Sequence, residues 1–95
     1  MLRIIVSCAN GAGSSLMMKM KIEQVMKELG VAYQIHHCPI SEGKGMAPRY
    51  DVVFTALNFV SMFDSVKDKV KIIGIKNIMS ADEIKQKYLE AFGEN

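Results

Sequence analysis

The sequence predicts an α/β fold in which a small, open sheet of four parallel strands is flanked by helices. Four short runs rich in β-branched residues are spread along the chain, each bounded by turn-forming residues. Helical patterns or long connections separate successive runs, so the strands cannot be joined as hairpins, and right-handed crossovers make them parallel. The length of 95 residues is that of one ordinary domain, and we expect a single domain over residues 1–95.

The first half of the chain is predicted to hold two strands with a helix between them. Residues 2–6 are rich in Ile and Val, as in a buried strand. Residues 16–29 follow a helical period, and Gly30 stands where a helix C-cap is expected. The apolar face of this helix consists of Met18, Ile22, Val25 and Leu29. Alternating polarity over residues 31–37 predicts the second strand, and the prolines and glycines of residues 38–50 predict a connecting loop.

The second half is predicted to complete the sheet and to close with a helix. Residues 51–55 and 70–75 have the composition of strands, and residues 58–69 have the apolar spacing of a short helix. Ser80 and Glu83 match the capping box, in which the Ser side chain accepts from a backbone N–H and the Glu side chain reaches back. The last helix therefore starts there, ends at Gly93 and turns inward Ile84, Tyr88 and Phe92.

The composition argues against several classes of function. The net charge is only +2, which gives little electrostatic support for nucleic-acid binding. No apolar run approaches the ~18 residues of a membrane-spanning helix, and no signal-peptide core is present. The two cysteines form neither a disulfide framework nor a metal-ligand pattern. We therefore expect a cytoplasmic protein with reduced thiols, without a metal or a cofactor.

The loop after the first strand carries the predicted chemistry. Cys8 lies beyond the carboxyl end of a parallel strand, where such sheets bind ligands, and a following helix N-terminus favours its thiolate. Gly11 and Gly13 allow successive backbone N–H groups to face a common centre, which forms a nest for tetrahedral oxyanions. The hydroxyls of Ser14 and Ser15 can donate to a phosphate oxygen or to the thiolate. The sequence thus predicts a nucleophile beside a phosphate cradle.

Several alternatives remain open for this loop. The spacing of Cys8 and Ser14 resembles the phosphate loop of low-molecular-weight protein tyrosine phosphatases, in which an Arg stands at the position of Ser14. Neither Asp51 nor Asp64 lies in a segment typical of a general acid, so a phosphoryl group on Cys8 should resist water, as a relay requires. A bond between Cys8 and Cys38 would indicate an arsenate-reductase-like thiol enzyme, which also uses that Arg. Two further alternatives remain. The loop serves only as an anion-binding site in a protein without catalytic chemistry, or Cys8 is a buried and inert residue.

Residues 4–23 resemble the IIB component of the bacterial phosphoenolpyruvate-dependent sugar phosphotransferase system (PTS). They read Ile-Ile-Val-Ser-Cys-Ala-Asn-Gly-Ala-Gly-Ser-Ser-Leu-Met-Met-Lys-Met-Lys-Ile-Glu. The ascorbate-type branch, which is related to the galactitol and lactose/cellobiose IIB components, is the most similar, and the resemblance extends over essentially the whole chain. Ascorbate-type members commonly have a Gly after the cysteine, where this chain has Ala9.

The resemblance implies a protein-phosphocysteine–sugar phosphotransferase. Cys8 would accept a phosphoryl group from the phosphohistidine of a IIA protein. The group would then pass to a sugar-like substrate, L-ascorbate or a related compound, carried by a IIC membrane transporter, through which the chain would associate with the inner face of the membrane. By the same resemblance, the residues that bind the phosphate are Ala9, Asn10, Gly11, Ala12, Gly13, Ser14 and Ser15.

Other residues near the predicted site have simpler interpretations. His36 and His37 precede Cys38 without further ligands at metal spacing, so they are interpreted as polar surface, although an imidazole near the cradle can tune a thiolate. Asn58 is interpreted as a helix N-cap or as a residue lining the site. The methionines of the first helix are interpreted as core residues: Met17, Met18 and Met20.

Overall fold

The computed structural model describes residues 1–8, 12–77 and 79–92, without the side chains of residue 8 and residues 12–15. The elements are β1 (Leu2–Cys8), α1 (Ala12–Leu29), β2 (Tyr33–Pro39), α2 (Ile40–Met46), the 3₁₀ helix η1 (Ala47–Arg49), β3 (Val52–Ala56), the 3₁₀ helix η2 (Leu57–Val66), β4 (Lys71–Ile75) and α3 (Ala81–Ala91). The strands form one parallel sheet in the order β2-β1-β3-β4. The predicted α/β class and the parallel four-stranded sheet are confirmed.

Successive residues of a strand point to opposite faces of the sheet, and helical elements cover both faces. On one face, α1 and α3 pack on apolar strand residues, and the fully buried members of this cluster include Ile4, Val6, Val52, Phe54, Met18, Ile22 and Ile84. On the other face, α2 and η2 cover a second cluster, which includes Ile5, Cys38, Ile40, Val53, Phe63 and Val66. Because the strands are covered on both sides, residues 4–6 of β1 form an unbroken apolar run.

Helix α1 begins earlier than the sequence predicts. It starts at Ala12 rather than at residue 16. Apolar periodicity does not reveal this first turn, because it consists of small residues. Its end is as predicted: Gly30 has φ +72°, and the N–H groups of Gly30 and Val31 donate to the carbonyls of Lys27 and Met26 at 3.2 and 2.9 Å. These two bonds are those of a Schellman C-cap.

The prediction of an irregular loop over residues 38–50 is wrong, since α2 and η1 occupy most of it. Pro39 is the N-cap of α2, and Pro48 lies in the first turn of η1, so neither proline removes a hydrogen bond from a helix interior. Gly43 is buried against β1, where a Cβ would lie 3.0 Å from Ser7 Oγ. The breakers therefore stand at helix ends or at a close contact, which composition alone does not reveal.

The capping box at the start of α3 forms only in part. Ser80 Oγ accepts from the backbone N–H of Glu83 at 3.1 Å, as predicted. The Glu83 carboxylate does not reach the Ser80 N–H, which donates to the Asn77 carbonyl instead. The Glu83 carboxylate instead accepts from the backbone N–H groups of Lys76 and Asn77 at 2.6 and 2.8 Å. The inward face of α3 is confirmed by buried Ile84 and by Tyr88 and Phe92, which pack on the first cluster. Gly93, the predicted end, lies outside the described residues.

Candidate functional site

The carboxyl end of β1 lies at the point where the strand order reverses. From β1 the chain crosses to β2 on one side, and it then crosses to β3 on the other side of β1. In open parallel sheets, ligands bind beyond the carboxyl ends of the strands at such a switch point. The last residue of β1 is Cys8, so the backbone of the predicted nucleophile stands at this position.

The N-terminus of α1 follows closely on that strand end. Ala12, its first residue, is four positions after Cys8. The N–H groups of an α-helix's first four residues have no acceptor within the helix, and the helix dipole adds positive potential there. The first turn holds no acidic residue that would oppose this potential. The backbone of α1 therefore favours an anion near the end of β1.

The predicted phosphate-binding residues fall into two groups. Ala9, Asn10 and Gly11 lie outside the described residues, as does the side chain of Cys8. Residues 12–15 form the first turn of α1 rather than the predicted loop, and their side chains are likewise not described. The connection between β1 and α1 is thus three residues long. The contacts of these residues with a phosphate remain a prediction.

Cys38 is buried and is not poised to react. It is 4% exposed and belongs to the cluster under α2. Burial and the nearby Glu42 carboxylate raise the pKa of its thiol from 9.0 to about 11, and the neighbouring Ser7 hydroxyl offsets part of this rise without a hydrogen bond of good geometry. The register pairs Cys38 with Ser7, whereas Cys8 pairs with Pro39. A protonated, buried thiol is a poor partner for redox chemistry.

The two histidines lie on the edge strand β2. Both are half-buried, and the His36 ring lies 6.4 Å from that of Tyr50 between centroids. His36 Nε2 is buried and has no hydrogen-bond partner. Within the described part of the chain, no three His, Cys, Asp or Glu side chains are grouped so that they could hold a metal ion. His37 pairs in register with Val6, two residues before Cys8.

Both arginines of the chain lie at the amino edge of the sheet, away from Cys8. Arg3 is the second residue of β1, and its guanidinium stacks 4.9 Å from the centroid of the Tyr50 ring. Arg49 ends η1, just before β3 begins. Asp51, one of the two candidate general acids, accepts from the Arg3 backbone N–H at 2.8 Å at that same edge. Neither arginine therefore lies near the carboxyl end of β1, where the phosphatase alternative requires one.

Sequence reasoning missed a row of small and polar residues one step below the carboxyl edge. The row consists of the penultimate residues of the four strands: Cys38, Ser7, Thr55 and Gly74. Cys38 pairs with Ser7, and Thr55 pairs with Gly74. Ser7 and Thr55 each follow the last pair that joins β1 to β3, which is Val6 with Phe54. Ser7 and Thr55 are fully buried, and neither hydroxyl has a hydrogen-bond partner. The only sign of this row in the sequence is one polar residue, Ser7 in β1 and Thr55 in β3, next to the end of an otherwise apolar run.

Asn58 is exposed in the first turn of η2, after the carboxyl end of β3. It is not the N-cap of that helix, because Ala56 holds the cap position without a side-chain bond. Asn58 therefore stands on the same side of the sheet as the end of β1.

Exposed apolar side chains gather on segments that leave the carboxyl ends of strands. The interpretation of the α1 methionines as core holds only for Met18, since Met17 and Met20 are 40% and 57% exposed. With Met79 they line a groove of about 200 Å³. A larger cavity of about 400 Å³ lies at the opposite end, lined by Leu29, Val31, Tyr88, Leu89 and Phe92. None of the described helices is long and apolar enough to cross a membrane.

Comparison with known proteins identifies relatives over nearly the whole chain. Residues 3–90 match the family described as "PTS system, Lactose/Cellobiose specific IIB subunit". The "Ascorbate-specific PTS system EIIB component" of Mycoplasma pneumoniae is 38% identical over 85 residues, which cover 90% of this chain and 88% of the relative. The protein of that name from Salmonella typhimurium is 28% identical over 93 residues, with 98% and 91% covered.

A solved structure supports the fold independently. The lactose-specific IIB component domain from Streptococcus pneumoniae superposes with a TM-score of 0.72, covers 96% of this chain and 97% of that chain, and is 19% identical. At that identity the likeness concerns the fold, whereas the family match and the Mycoplasma relative concern the sequence. The chain therefore belongs to the lactose/cellobiose-specific IIB family and is a IIB component of the phosphotransferase system.

Proposed function

We propose that this IIB component carries a phosphoryl group on Cys8, which it takes from the phosphohistidine of a IIA protein and passes to a substrate held by a IIC membrane transporter. The observation that supports this most directly is the backbone position of Cys8. It ends the β1 strand at the switch point of the sheet, four positions before the unpaired N–H groups of α1. A thiolate is favoured there, and a dianionic phosphoryl group is also favoured.

The chemistry consists of two displacements at phosphorus. In the first, the Cys8 thiolate attacks, the S–P bond forms, and the P–N bond breaks, with its electron pair returning to the donor's imidazole. In the second, a substrate hydroxyl attacks, the S–P bond breaks, and the thiolate is restored as the hydroxyl proton leaves to a base. The N-terminus of α1 opposes the negative charge on the transferring oxygens in both steps.

A relay is favoured over a phosphatase by the positions of the charged residues. Arg3 and Arg49 lie at the amino edge of the sheet, so neither supplies bidentate stabilisation near Cys8. Asp51 is bound to the Arg3 N–H, and Asp64 is exposed in the last turns of η2. Without such groups, water attacks a phosphocysteine slowly, and the group survives until a partner takes it.

Substrate and location follow from the relatives. Proteins named as ascorbate-specific EIIB components match over almost the full length of this chain. We therefore infer L-ascorbate or a related compound as the substrate and the inner face of the membrane, beside IIC, as the place of transfer. In this proposal the domain comprises residues 1–95, and the phosphate contacts come from residues 9–15.

Intact-protein mass spectrometry tests the carrier role. The chain is incubated with phosphoenolpyruvate, the general phosphotransferase proteins and an ascorbate-type IIA protein. We expect wild type and Cys38→Ser to gain one phosphoryl group, and Cys8→Ser to gain none. Phosphate on Cys38, or none on any variant, would exclude the proposal.

A second experiment tests the substrate. The phosphorylated chain is mixed separately with membranes that contain an ascorbate-type, a galactitol-type or a cellobiose-type IIC transporter, and the loss of phosphate from Cys8 is followed after addition of L-ascorbate, galactitol or cellobiose, respectively. We expect L-ascorbate alone to discharge the protein. Discharge by another of these compounds would assign the chain to a different branch and leave the relay intact.

A further inference from the structure

We propose that the groove between α1 and the connection from β4 to α3 is a docking site for the IIA protein, and that it receives an apolar side chain flanked by a carboxylate. The residues that line this methionine groove are Met17, Met20, Lys21, Gln24 and Met79. This inference rests on the proposed function, because it concerns the partner that phosphorylates Cys8. It adds the place on this chain where that partner is held.

The methionine groove lies on the same face and at the same edge of the sheet as the predicted nucleophile. Positions 4, 6 and 8 of β1 alternate onto the face that α1 and α3 cover, where Ile4 and Val6 are buried. Helix α1 leaves the carboxyl end of β1, and Met79 lies in the segment that leaves the carboxyl end of β4. At 1.5 Å per residue, Met17 and Met20 lie about 8 and 12 Å beyond the first residue of α1.

A protein that reaches Cys8 also covers the surface around it. A specific interface buries about 800 Å² on each partner, which corresponds to a disc with a radius of about 16 Å. Met17 and Met20 fall within that distance of the start of α1, which is four positions after Cys8. The larger cavity at Leu29 lies about 26 Å along the same axis, outside such a disc. Of these two cavities, the methionine groove is the one that a phosphoryl donor covers.

The groove exposes apolar surface that can adapt to a partner. Met17, Met20 and Met79 are 40%, 57% and 45% exposed. Single exposed apolar side chains are normal on a protein surface, but several in one concave patch mark an interaction site. Methionine side chains are flexible and polarizable, so they repack around an incoming apolar group. The groove therefore suits a contact that forms and dissociates in each cycle of transfer.

Hydrogen bonds fix the backbone of the wall that carries Met79. The Met79 N–H donates to Asn77 Oδ1 at 3.0 Å, and the Ser80 N–H donates to the Asn77 carbonyl at 2.9 Å. The Glu83 carboxylate accepts from the N–H groups of Lys76 and Asn77. Because this wall is already ordered, a partner does not have to order it on binding.

The charges beside the groove distinguish between the two partners of the proposed relay. Lys21 is the charged residue of the lining, and neither it nor exposed Lys76 has an ion pair in the part of the chain that the structure describes. At the start of α3, Glu83 is bound to backbone N–H groups, which leaves Asp82 as the exposed acid. A partner's carboxylate would pair with the Lys21 ammonium. Cytoplasmic loops of membrane transporters carry an excess of Lys and Arg, which Lys21 would repel. These charges favour IIA over IIC.

Two variants of the groove are each matched by a control elsewhere. Met20→Gln keeps the length of the side chain and makes it polar, and its control is Met62→Gln, because Met62 is 47% exposed in η2 on the other face of the sheet. Lys21→Glu reverses the charge, and its control is Lys69→Glu, which makes the same change in net charge at an exposed residue just before β4. Quenched-flow mass spectrometry gives kcat and KM for phosphoryl uptake from phosphorylated IIA, and calorimetric titration gives the Kd of unphosphorylated IIA. A thermal unfolding scan of each variant verifies that it is folded.

We expect Met20→Gln and Lys21→Glu to raise both KM and Kd by roughly 3- to 10-fold with little change in kcat, as the loss of a docking contact does. The controls should behave as wild type. At about 1 M salt the effect of Lys21→Glu should shrink, whereas that of Met20→Gln should persist. An unchanged Kd in Met20→Gln, or an equal rise in Met62→Gln, would overturn the inference. A lower Kd in Lys21→Glu would also overturn it, since the occupant would then be basic.

Discharge to IIC separates the two possible occupants. If the groove variants take phosphate from IIA as wild type does but lose it slowly to L-ascorbate on IIC membranes, the groove belongs to IIC and the inference is overturned.

The Kd measurement separates the docking site from the carrier role, because Cys8→Ser should bind IIA as wild type does. If wild type accepts no phosphate but Met20→Gln still weakens IIA binding, the carrier role fails and the docking site stands. If wild type accepts phosphate and no groove variant changes KM or Kd, only the docking inference fails.

Discussion

Gly43 of α2 lies against Ser7 of β1 so closely that a Cβ at residue 43 would be 3.0 Å from Ser7 Oγ and 3.5 Å from Cys38 Sγ. Both strand residues belong to the row one step below the carboxyl edge. Helix α2 follows β2 without an intervening loop, so its approach to the sheet depends on this contact. The absence of a side chain at residue 43 therefore sets the distance between α2 and the strand that bears Cys8.

Replacing Gly43 by Ala is expected to lower the free energy of unfolding by about 1–3 kcal/mol, because the added methyl group crowds Ser7 and Cys38. Gly45 of the same helix is the matched control, since a Cβ added there would meet no atom within 4 Å. Gly45→Ala should raise the free energy of unfolding by about 0.4–1 kcal/mol through the unfolded chain. Urea unfolding measures both. Stabilisation by Gly43→Ala would contradict the close contact.

The buried thiol of Cys38 should make the stability depend on pH above 9. Its pKa is about 11 in the folded protein and 9.0 when unperturbed, so the folded state holds the proton more tightly. That contribution is fully present below pH 9 and is lost as the pH rises through 11, because the unfolded thiol ionises first. We expect a loss on the order of 1–3 kcal/mol between these two pH values.

Cys38→Ala isolates this contribution, since Ala does not ionise. The difference in unfolding free energy between wild type and Cys38→Ala should be constant up to pH 9 and should then change in favour of the variant. Urea unfolding at intervals from pH 7 to pH 11 provides the measurement. A constant difference over the whole range would mean that the thiol has an ordinary pKa.

The start of α3 depends on two separate interactions. Ser80→Ala removes the N-cap bond to Glu83 N and should cost about 1 kcal/mol of stability. Glu83→Ala removes the acceptor for the backbone N–H groups of Lys76 and Asn77 and should cost about 1–2 kcal/mol. Asp82→Ala, in the same turn, is the control and should cost less, through the helix dipole alone. Equal losses for Glu83→Ala and Asp82→Ala would exclude the two hydrogen bonds.

The sequence predicts the sheet well because periodicity and composition are local signals. The β-branched runs give the four strands, and Gly30 gives the end of α1. It fails where residues act through contacts distant in the chain. Gly43 reads as a breaker until β1 is seen beside it, and Glu83 reads as a capping-box partner until the bend at Lys76 and Asn77 brings their N–H groups within its reach.

The candidate site divides in the same way. Cys8 at a strand end is predictable, because the carboxyl ends of parallel strands meet at one edge. The polar row of Ser7 and Thr55 is not, since it requires the lateral register of two strands that are separated by over forty residues in the chain. The amino-edge position of Arg3 and Arg49 likewise follows from the fold.

The electrostatic role of the α1 N-terminus can be tested at Ala12, its first residue. Ala12→Glu places a negative charge in the first turn, which holds no acidic residue in the native chain. Because the charge opposes both the thiolate and the incoming phosphoryl group, phosphoryl uptake from IIA should slow by roughly 3- to 10-fold at low salt. Ala12→Gln introduces a side chain of nearly the same shape as Glu but without its charge, and it serves as the control.

Salt provides the second arm of this experiment. At about 1 M ionic strength the Debye length falls to roughly 3 Å, so the difference between the Glu and Gln variants should shrink while any steric effect common to both persists. Single-turnover uptake, followed by quenching and mass spectrometry, gives the rates. Equal rates for the two variants at low salt would show that the helix N-terminus contributes no charge stabilisation at Cys8.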